Sequence, residues 1–569
     1  MKSFLYSFPL VILFTACSGT RSTTSLPVHP YEYTIQKKIT GVNGAVVSAH
    51  PLASETGVAI MKQGGNAIDA TIATQLALAV VYPAAGNIGG GGFTVIRLAN
   101  GSNITIDYRE KAPATAYRDM YLDNQGNAQT ELSQNGHLAA GVPGTIAGLF
   151  DCMKYATLPF KKLIQPAIDL AEKGFVLTES EAKSLNSTKD AFIKYNTTTP
   201  VFVKAGGWKA GDTLVQKELA NTLKRIRDNG QKGFYEGETA RLIVDEMKRA
   251  KGIISYNDLK SYEAKEREPV VFDYKIYKII TMPLPSSGGI LLPQMMHMIE
   301  DQPLKEYGFQ SAKSVQLMTE IERRAYADRA KFLGDADFYK VPVKKLTSKA
   351  YAVERMKDYN AQTAGSSQTT QAGLIAESEE TTHFNVYDKS GNAVSVTTTL
   401  NGGYGSKTVV AGAGFILNNE MDDFSIKPGV PNMYGAVGAD ANAIAPGKRM
   451  LSSMTPAIVL KDNKPFIIVG TPGGTTITTS VFQTLINILE FNMSTEDAVN
   501  KPKFHHQWLP DEVFVEAAFP LAVRQQLQQM GYKVTQRGSI GRTEVIRIES
   551  NGAIEAVADS RGDDAAAGY

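Results

Sequence analysis

Cysteine is nearly absent from this chain: Cys17 and Cys152 are the only two in 569 residues, so no disulfide framework can support the fold. An excess of either charge is equally scarce. Lys and Arg number 59 against 57 Asp and Glu, which leaves +2 overall with no basic block of the kind that tracks phosphates, so nucleic acid is not an expected partner. Histidines number seven, and the adjacent pair His505-His506 has no further ligand at a metal-binding spacing, so no metal site is expected. A Gly-x-Ser-x-Gly elbow is missing, which removes one common serine-hydrolase arrangement. Glycine clusters do exist. However, 87–92 (NIGGGG) lacks the Lys-Ser/Thr of a phosphate loop, and Gly412-Ala413-Gly414 leads toward a strand, so close backbone packing is the better reading of both. At 43% hydrophobic and 20% charged residues, the chain has a globular composition and enough length for a large core.

Long apolar runs are also lacking, with one short exception. Lys2, the apolar stretch from Phe4 to Phe14, and Thr15-Ala16-Cys17 read as a positive n-region, an h-region and a small-residue cleavage site. The run is too short to cross a bilayer as a mature helix. Residues 1–17 are therefore expected to be a signal segment similar to that of bacterial lipoproteins, with Cys17 lipidated and the periplasm or its membrane as destination. Plain secretion is the alternative. A tether over 18–40 would follow, its first part, Ser18 to Pro30, being polar.

Residues 66–81 (NAIDATIATQLALAVV) predict a helix capped by Asn66, with Asp69 at its third position, one apolar face through Ile68, Ile72 and Leu76, and Pro83 as its stop. Further helices are expected at 217–227, 238–249 and 314–330, and hairpins at 93–98 with 104–108. The last third turns to strands: 383–387 with 393–400, 457–460 with 466–469, and 544–548 with 554–558, around one helix at 475–491. A polar linker is expected at 363–371 (TAGSSQTTQ), directly upstream of the first of these hairpins.

What remains is a set of hydroxyls and acids: Thr381-Thr382-His383, Thr399 and Asn401, Glu420 with Asp422-Asp423, Ser452-Ser453 and Gly473-Gly474. Singly, each has an ordinary structural role, in a strand, a turn or a helix cap. Together with their neighbours they form ordered motifs. Residues 381–401 (TTHFNVYDKSGNAVSVTTTLN), 418–425 (NNEMDDFS), 446–454 (PGKRMLSSM) and 470–474 (GTPGG) resemble the small subunit of the γ-glutamyltranspeptidases. Residues 83–93, 107–113 (DYREKAP), 141–144 (GVPG) and 326–329 (YADR) resemble the upstream half of the same family, so the likeness covers nearly everything from Gly44 to Tyr569.

The resemblance implies an α+β fold, the four-layer αββα sandwich of the N-terminal nucleophile hydrolases. It also implies a precursor that cuts itself between Glu380 and Thr381, giving a large subunit 41–380 and a small subunit 381–569 that stay together as a heterodimer. Thr381 would be the nucleophile, with its freed α-amine as base and Thr399 as its hydrogen-bonding partner. Gly473 and Gly474 would hold the oxyanion. Arg109, Ser452 and Ser453 would take the substrate carboxylate, and Asn401, Glu420 and Asp423 its ammonium. Tyr434 would gate a lid over 428–446. The implied substrates are glutathione and other γ-glutamyl compounds, with water, amino acids or peptides as acceptors and no cofactor. His383 is read as structural, since the amine already supplies a base. Two alternatives differ in class: a glutaryl or cephalosporin-type acylase of the same fold, and a non-catalytic solute-binding lipoprotein.

Overall fold

A computed structural model of the chain describes residues 28–369 and 381–569. The expected signal segment with Cys17, residues 18–27 of the tether, the end of the linker and Glu380 lie outside the described residues.

Two seven-stranded antiparallel sheets face each other. The first runs in the order Ala565–Gly568, Gly44–Ser48, Thr382–Asp388, Ala393–Thr399, Gly91–Arg97, Asn103–Asp107, Lys265–Arg267. The second runs Lys38–Gly41, Ile554–Val557, Glu544–Ile548, Lys464–Gly470, Ala457–Lys461, Tyr277–Thr281, Val270–Tyr274. Each sheet therefore interleaves strands from before and after Thr381, and Gly44–Ser48 lies between two strands from beyond it. The hairpins expected from sequence form in register. One of them closes on Asp462-Asn463, whose φ values of 51° and 62° are the left-handed pair that a tight turn between twisted strands requires.

Alternation along the strands builds the layers. Val46 packs toward the helices on the outer side of the first sheet, while its neighbour Val47 packs inward against Ile280, Ile458, Ile468 and Ile546 of the second. Because both strand faces are covered, stretches such as Gly44–Ser48 are buried throughout and read as unbroken apolar runs. Helices Pro51–Lys62 and Ala67–Val81 cover the first sheet; Gly288–Ile299, Ala312–Phe332 and Thr476–Leu489 cover the second. The result is the expected αββα sandwich.

The helix Ala67–Val81 carries the predicted capping box of Asn66 and Asp69, but every residue of it is buried, so it has no solvent face. The tether is docked from Val28 onward: Val28 is buried, Tyr33 Oη donates to the Val176 carbonyl, and Lys38–Gly41 is a sheet strand. The linker is docked too. The Ser367 N–H donates to Asp511 at 2.7 Å, and its hydroxyl meets Arg323 and the Trp508 carbonyl. Gly412 and Gly414 lead to a single bridge between Val409 and Ile416 in place of a strand.

Candidate active site

Thr381 stands at the head of Thr382–Asp388, a central strand of the first sheet. In that strand Phe384 and Val386 face the helices, so His383 and Asn385 face the second sheet, and alternation turns Thr381 the same way. The register pairs Thr382 with Thr398, and one step further sets Thr381 against Thr399. Their hydroxyl oxygens are 3.5 Å apart, and both residues are buried. Thr399 Oγ1 accepts the Asn401 N–H at 2.7 Å, which leaves its own proton free for Thr381. The Thr399 carbonyl is held by Asn87 Nδ2 at 2.9 Å, and a Cβ at Gly90 would lie 2.1 Å from that oxygen, so the glycine run lets a neighbouring segment approach the Thr399 backbone.

Thr381 and Thr399 open onto a small cavity. Arg109, Asn401 and Asp423 line it, as do Ser452, Ser453, Gly474 and Tyr434. Glu420, paired with Arg109, and Gly473, next to Gly474 in the chain, do not line it. Arg109 is buried, its carbonyl accepting from Tyr262 Oη and its guanidinium paired with Glu420 and, at 2.5 Å, with Asp423. Glu110 is a third carboxyl, 3.6 Å from the same guanidinium. One cation cannot offset three carboxylates, two of them fully buried. Burial lifts Glu110 to about 8 and holds Glu420 well above the usual carboxylate range, against the opposing pull of Arg109.

Ser452 and Ser453 sit on an extended loop, pinned by exchange with a second loop: the Ser452 N–H donates to the Pro285 carbonyl and the Ser287 N–H to the Ser452 carbonyl. Gly473 and Gly474 precede the helix Thr476–Leu489, and no acceptor takes either N–H among the described residues. Gly474 lines the same cavity as Thr381, at the positive end of that helix, a place suited to an oxyanion.

Tyr434 closes the cavity. Its hydroxyl donates to the Asn401 carbonyl, its ring lies over Gly474, and its carbonyl accepts from Gln507 at 3.4 Å. Asn432 donates to Asp423 at 2.8 Å and the Met433 N–H to Asp422 at 2.7 Å, so adjacent acids hold the segment next to Tyr434. Burial raises Asp422 to about 7. The cavity has a volume of about 20 Å³, space for roughly one water.

His383 does not line the cavity. Nδ1 meets Thr397 Oγ1 and Nε2 meets Asn385 Oδ1, both at 2.9 Å, and burial lowers it to about 3. The Asn385 amide donates to the Glu544 carbonyl, which leaves its Oδ1 as acceptor and assigns the imidazole proton to Nε2. Thr382 faces away from Thr381, its hydroxyl buried without a hydrogen-bond partner among the described residues.

Six lining residues lay outside the site residues expected from sequence: Asn432 and Ala436, in the segment 428–446, Met454, Thr475 and Ile477, and Arg329, in the helix Ala312–Phe332. The 326–329 motif contained Arg329, but helical spacing alone gives it no direction toward Thr381.

A family model described as gamma-glutamyltranspeptidase matches residues 53–569. The chain is 45% identical over 553 residues to the glutathione hydrolase proenzyme of Escherichia coli strain K12, covering 95% of each. Among solved structures it is similar to the γ-glutamyltranspeptidase of Helicobacter pylori, at 46% identity and a TM-score of 0.55, over 59% of this chain and 94% of that one. It is also similar to a cephalosporin acylase from Bacillus halodurans, at 26% identity and a TM-score of 0.82, over 95% of this chain and 98% of that one.

Proposed function

The chain belongs to the γ-glutamyltranspeptidase family, and from that membership we propose that it is a glutathione hydrolase and γ-glutamyltransferase, made as a proenzyme that cuts its own Glu380–Thr381 bond. The observation that carries this reading is Thr381 itself. It heads a central strand, its hydroxyl faces Thr399, and it opens onto a cavity with cationic and anionic walls.

A threonine hydroxyl is a poor nucleophile until a base takes its proton. The cut would supply one, since an α-amine has a pKa of about 7.7 to 8.0 and is partly unprotonated near neutral pH. In the precursor, Thr381 Oγ1 attacks the Glu380 carbonyl, the amide nitrogen leaves as the new α-amine, and water hydrolyses the resulting ester. In the mature enzyme the amine takes the hydroxyl proton as Oγ1 attacks the γ-amide carbon. Negative charge on the carbonyl oxygen falls to the Gly473 and Gly474 amides. The C–N bond breaks as the leaving amine is protonated, and a γ-glutamyl ester remains on Thr381. Water or an acceptor amine then takes the acyl group.

The donor's α-carboxylate fits Ser452, Ser453 and Arg109, and its ammonium fits Asn401 and Asp423, with Glu420 acting through Arg109. Tyr434 would admit the substrate by moving. Large and small subunits would remain a heterodimer, exported to the periplasm or anchored through Cys17.

The acylase reading has the Bacillus halodurans enzyme in its favour. Asp423 at the cavity wall favours the γ-glutamyl reading, because a glutaryl group has no ammonium for it to meet. The test is purification followed by N-terminal sequencing and γ-glutamyl-p-nitroanilide hydrolysis. Two fragments, the smaller starting at Thr381, and a single uncut chain for Thr381→Ala are expected. A Thr381→Ala protein that still splits at that bond overturns self-processing, and Asp423→Asn with full anilide activity favours the acylase.

A further inference from the structure

Arg329 is a buried cation with no ion-pair partner within reach among the described residues, although the charge of Asp423 acts on it from a distance. It is 8% exposed and lines the cavity beside Ser453. Nε donates to Ser287 Oγ at 3.3 Å and Nη2 to Ser453 Oγ at 3.2 Å, and no carboxylate pairs with it among the described residues. The other buried guanidiniums are provided for. On the same helix, Arg323 and Arg324 pair with Glu320, and elsewhere Arg449 pairs with Asp107 and Arg109 with Glu420 and Asp423. Arg97 has no acid but donates to the carbonyl oxygens of Gly101 and Asn463.

Such a residue is costly to hold. A guanidinium removed from water is repaid only by an anion or by saturated hydrogen bonding, and two long contacts to hydroxyls supply neither. Burial weakens its hold on its proton, against the opposing pull of Tyr326 and Asp423, and the charge of Arg109 adds a smaller push in the same direction as burial. A carboxylate entering the cavity would relieve each of these at once, with the planar fork well shaped to receive it. Arg109, by contrast, already has its guanidinium occupied by the two acids.

We propose that Arg329, a cation held only by hydroxyls, supplies the positive charge that draws the donor's α-carboxylate onto Ser452 and Ser453, beside Arg109. The inference rests on the γ-glutamyl reading of the site. Ser453 is the shared hydroxyl: it accepts from Arg329 in the closed cavity and is free to turn its own proton to a bound carboxylate. Arg329 and Ser287 come from before the cut and Ser453 from after it, so this wall of the pocket depends on both pieces of the chain.

The test compares Arg329→Gln and Arg329→Lys with the unaltered enzyme. KM and kcat for γ-glutamyl-p-nitroanilide are measured together with competitive inhibition by L-glutamate and by 4-aminobutanoate, the same skeleton without the α-carboxylate. For Arg329→Gln, KM and the glutamate inhibition constant should rise by roughly ten- to a hundredfold, the scale of a lost charge-assisted hydrogen bond. The 4-aminobutanoate constant should hold, kcat should change far less, and Arg329→Lys should recover part of the loss. Equal shifts for both inhibitors would mean a structural role and overturn the inference, as would a change confined to the KM of a glycylglycine acceptor. If Arg329→Gln does not fold, Arg329→Lys is held to the same comparison of inhibitors. Absence of anilide activity in the unaltered enzyme would instead defeat the γ-glutamyl reading itself.

Discussion

Gly474→Ala should remove most of the turnover while leaving the protein folded. Gly474 has a φ of +52°, where alanine costs about 1 kcal/mol more than glycine. Its new Cβ would stand 2.5 Å from Cδ1 and 2.9 Å from Cε1 of Tyr434, so the ring must retreat by about 1 Å to reach an ordinary contact of roughly 3.5 Å. Retreat strains the bond from the Tyr434 hydroxyl to the Asn401 carbonyl, worth about 1 kcal/mol. If the backbone yields instead, the Gly474 amide would leave the place proposed for the oxyanion. A lost donor of this kind raises the barrier by about 3 to 4 kcal/mol, so kcat should fall by roughly 10² to 10³. Initial rates of γ-glutamyl-p-nitroanilide hydrolysis and a thermal melt read the two effects separately. The same change in a Tyr434→Ala background should be milder, because the obstructing ring is gone. A Gly474→Ala enzyme with kcat within about twofold of normal would refute the oxyanion assignment. Equal losses in both backgrounds would show that the ring does not transmit the effect.

Two further outcomes follow from the buried titratable groups. Burial disfavours the charge of Asp422 and pushes it up to about 7 in the folded state, well above the ordinary range of an aspartate. The folded state therefore holds a proton that the unfolded chain releases, so this contribution to stability is fully present below about pH 4 and is lost as pH rises toward 7. Asp422→Asn should remove that dependence, and its stability relative to the unaltered protein should grow by up to about 1.4 kcal/mol per pH unit across this window in urea melts. A constant difference between pH 4 and 7 would contradict the assignment. His383→Gln should lower the melting temperature yet leave the acidic limb of the kcat/KM pH profile in place, since the native imidazole, held near 3, does not titrate there. A moved limb would make His383 a participant.

The sequence carried the local structure well, and local physics explains why. Asn66 with Asp69 made a capping box, Asp462-Asn463 made a tight turn, and the three C-terminal hairpins paired with their sequence neighbours. Most of the cavity wall was also readable, but through family motifs, since Thr381, Ser453 and Arg109 are far apart along the chain and no spacing rule joins them. Long-range pairing was not readable. Gly44–Ser48 lies between Thr382–Asp388 and Ala565–Gly568, and nothing in a run of small apolar residues names those partners. The segment at 363–369 misled by composition: its polar residues satisfy buried groups such as Arg323 and do not face water alone. Arg329 was missed for a related reason, as a charged helical residue ordinarily reads as surface.

The interlacing of strands from either side of Thr381 has a consequence for how this protein comes apart. Before the peptide bond breaks, unfolding is unimolecular, and the melting point is indifferent to dilution. Afterwards the same sheets join two separate polypeptides, so denaturation becomes dissociation and its midpoint rises with protein concentration. Activation would thus exchange a reversible transition for one whose reversal requires two partners to find each other and rethread shared ladders, and a mature enzyme once melted would be slow to return.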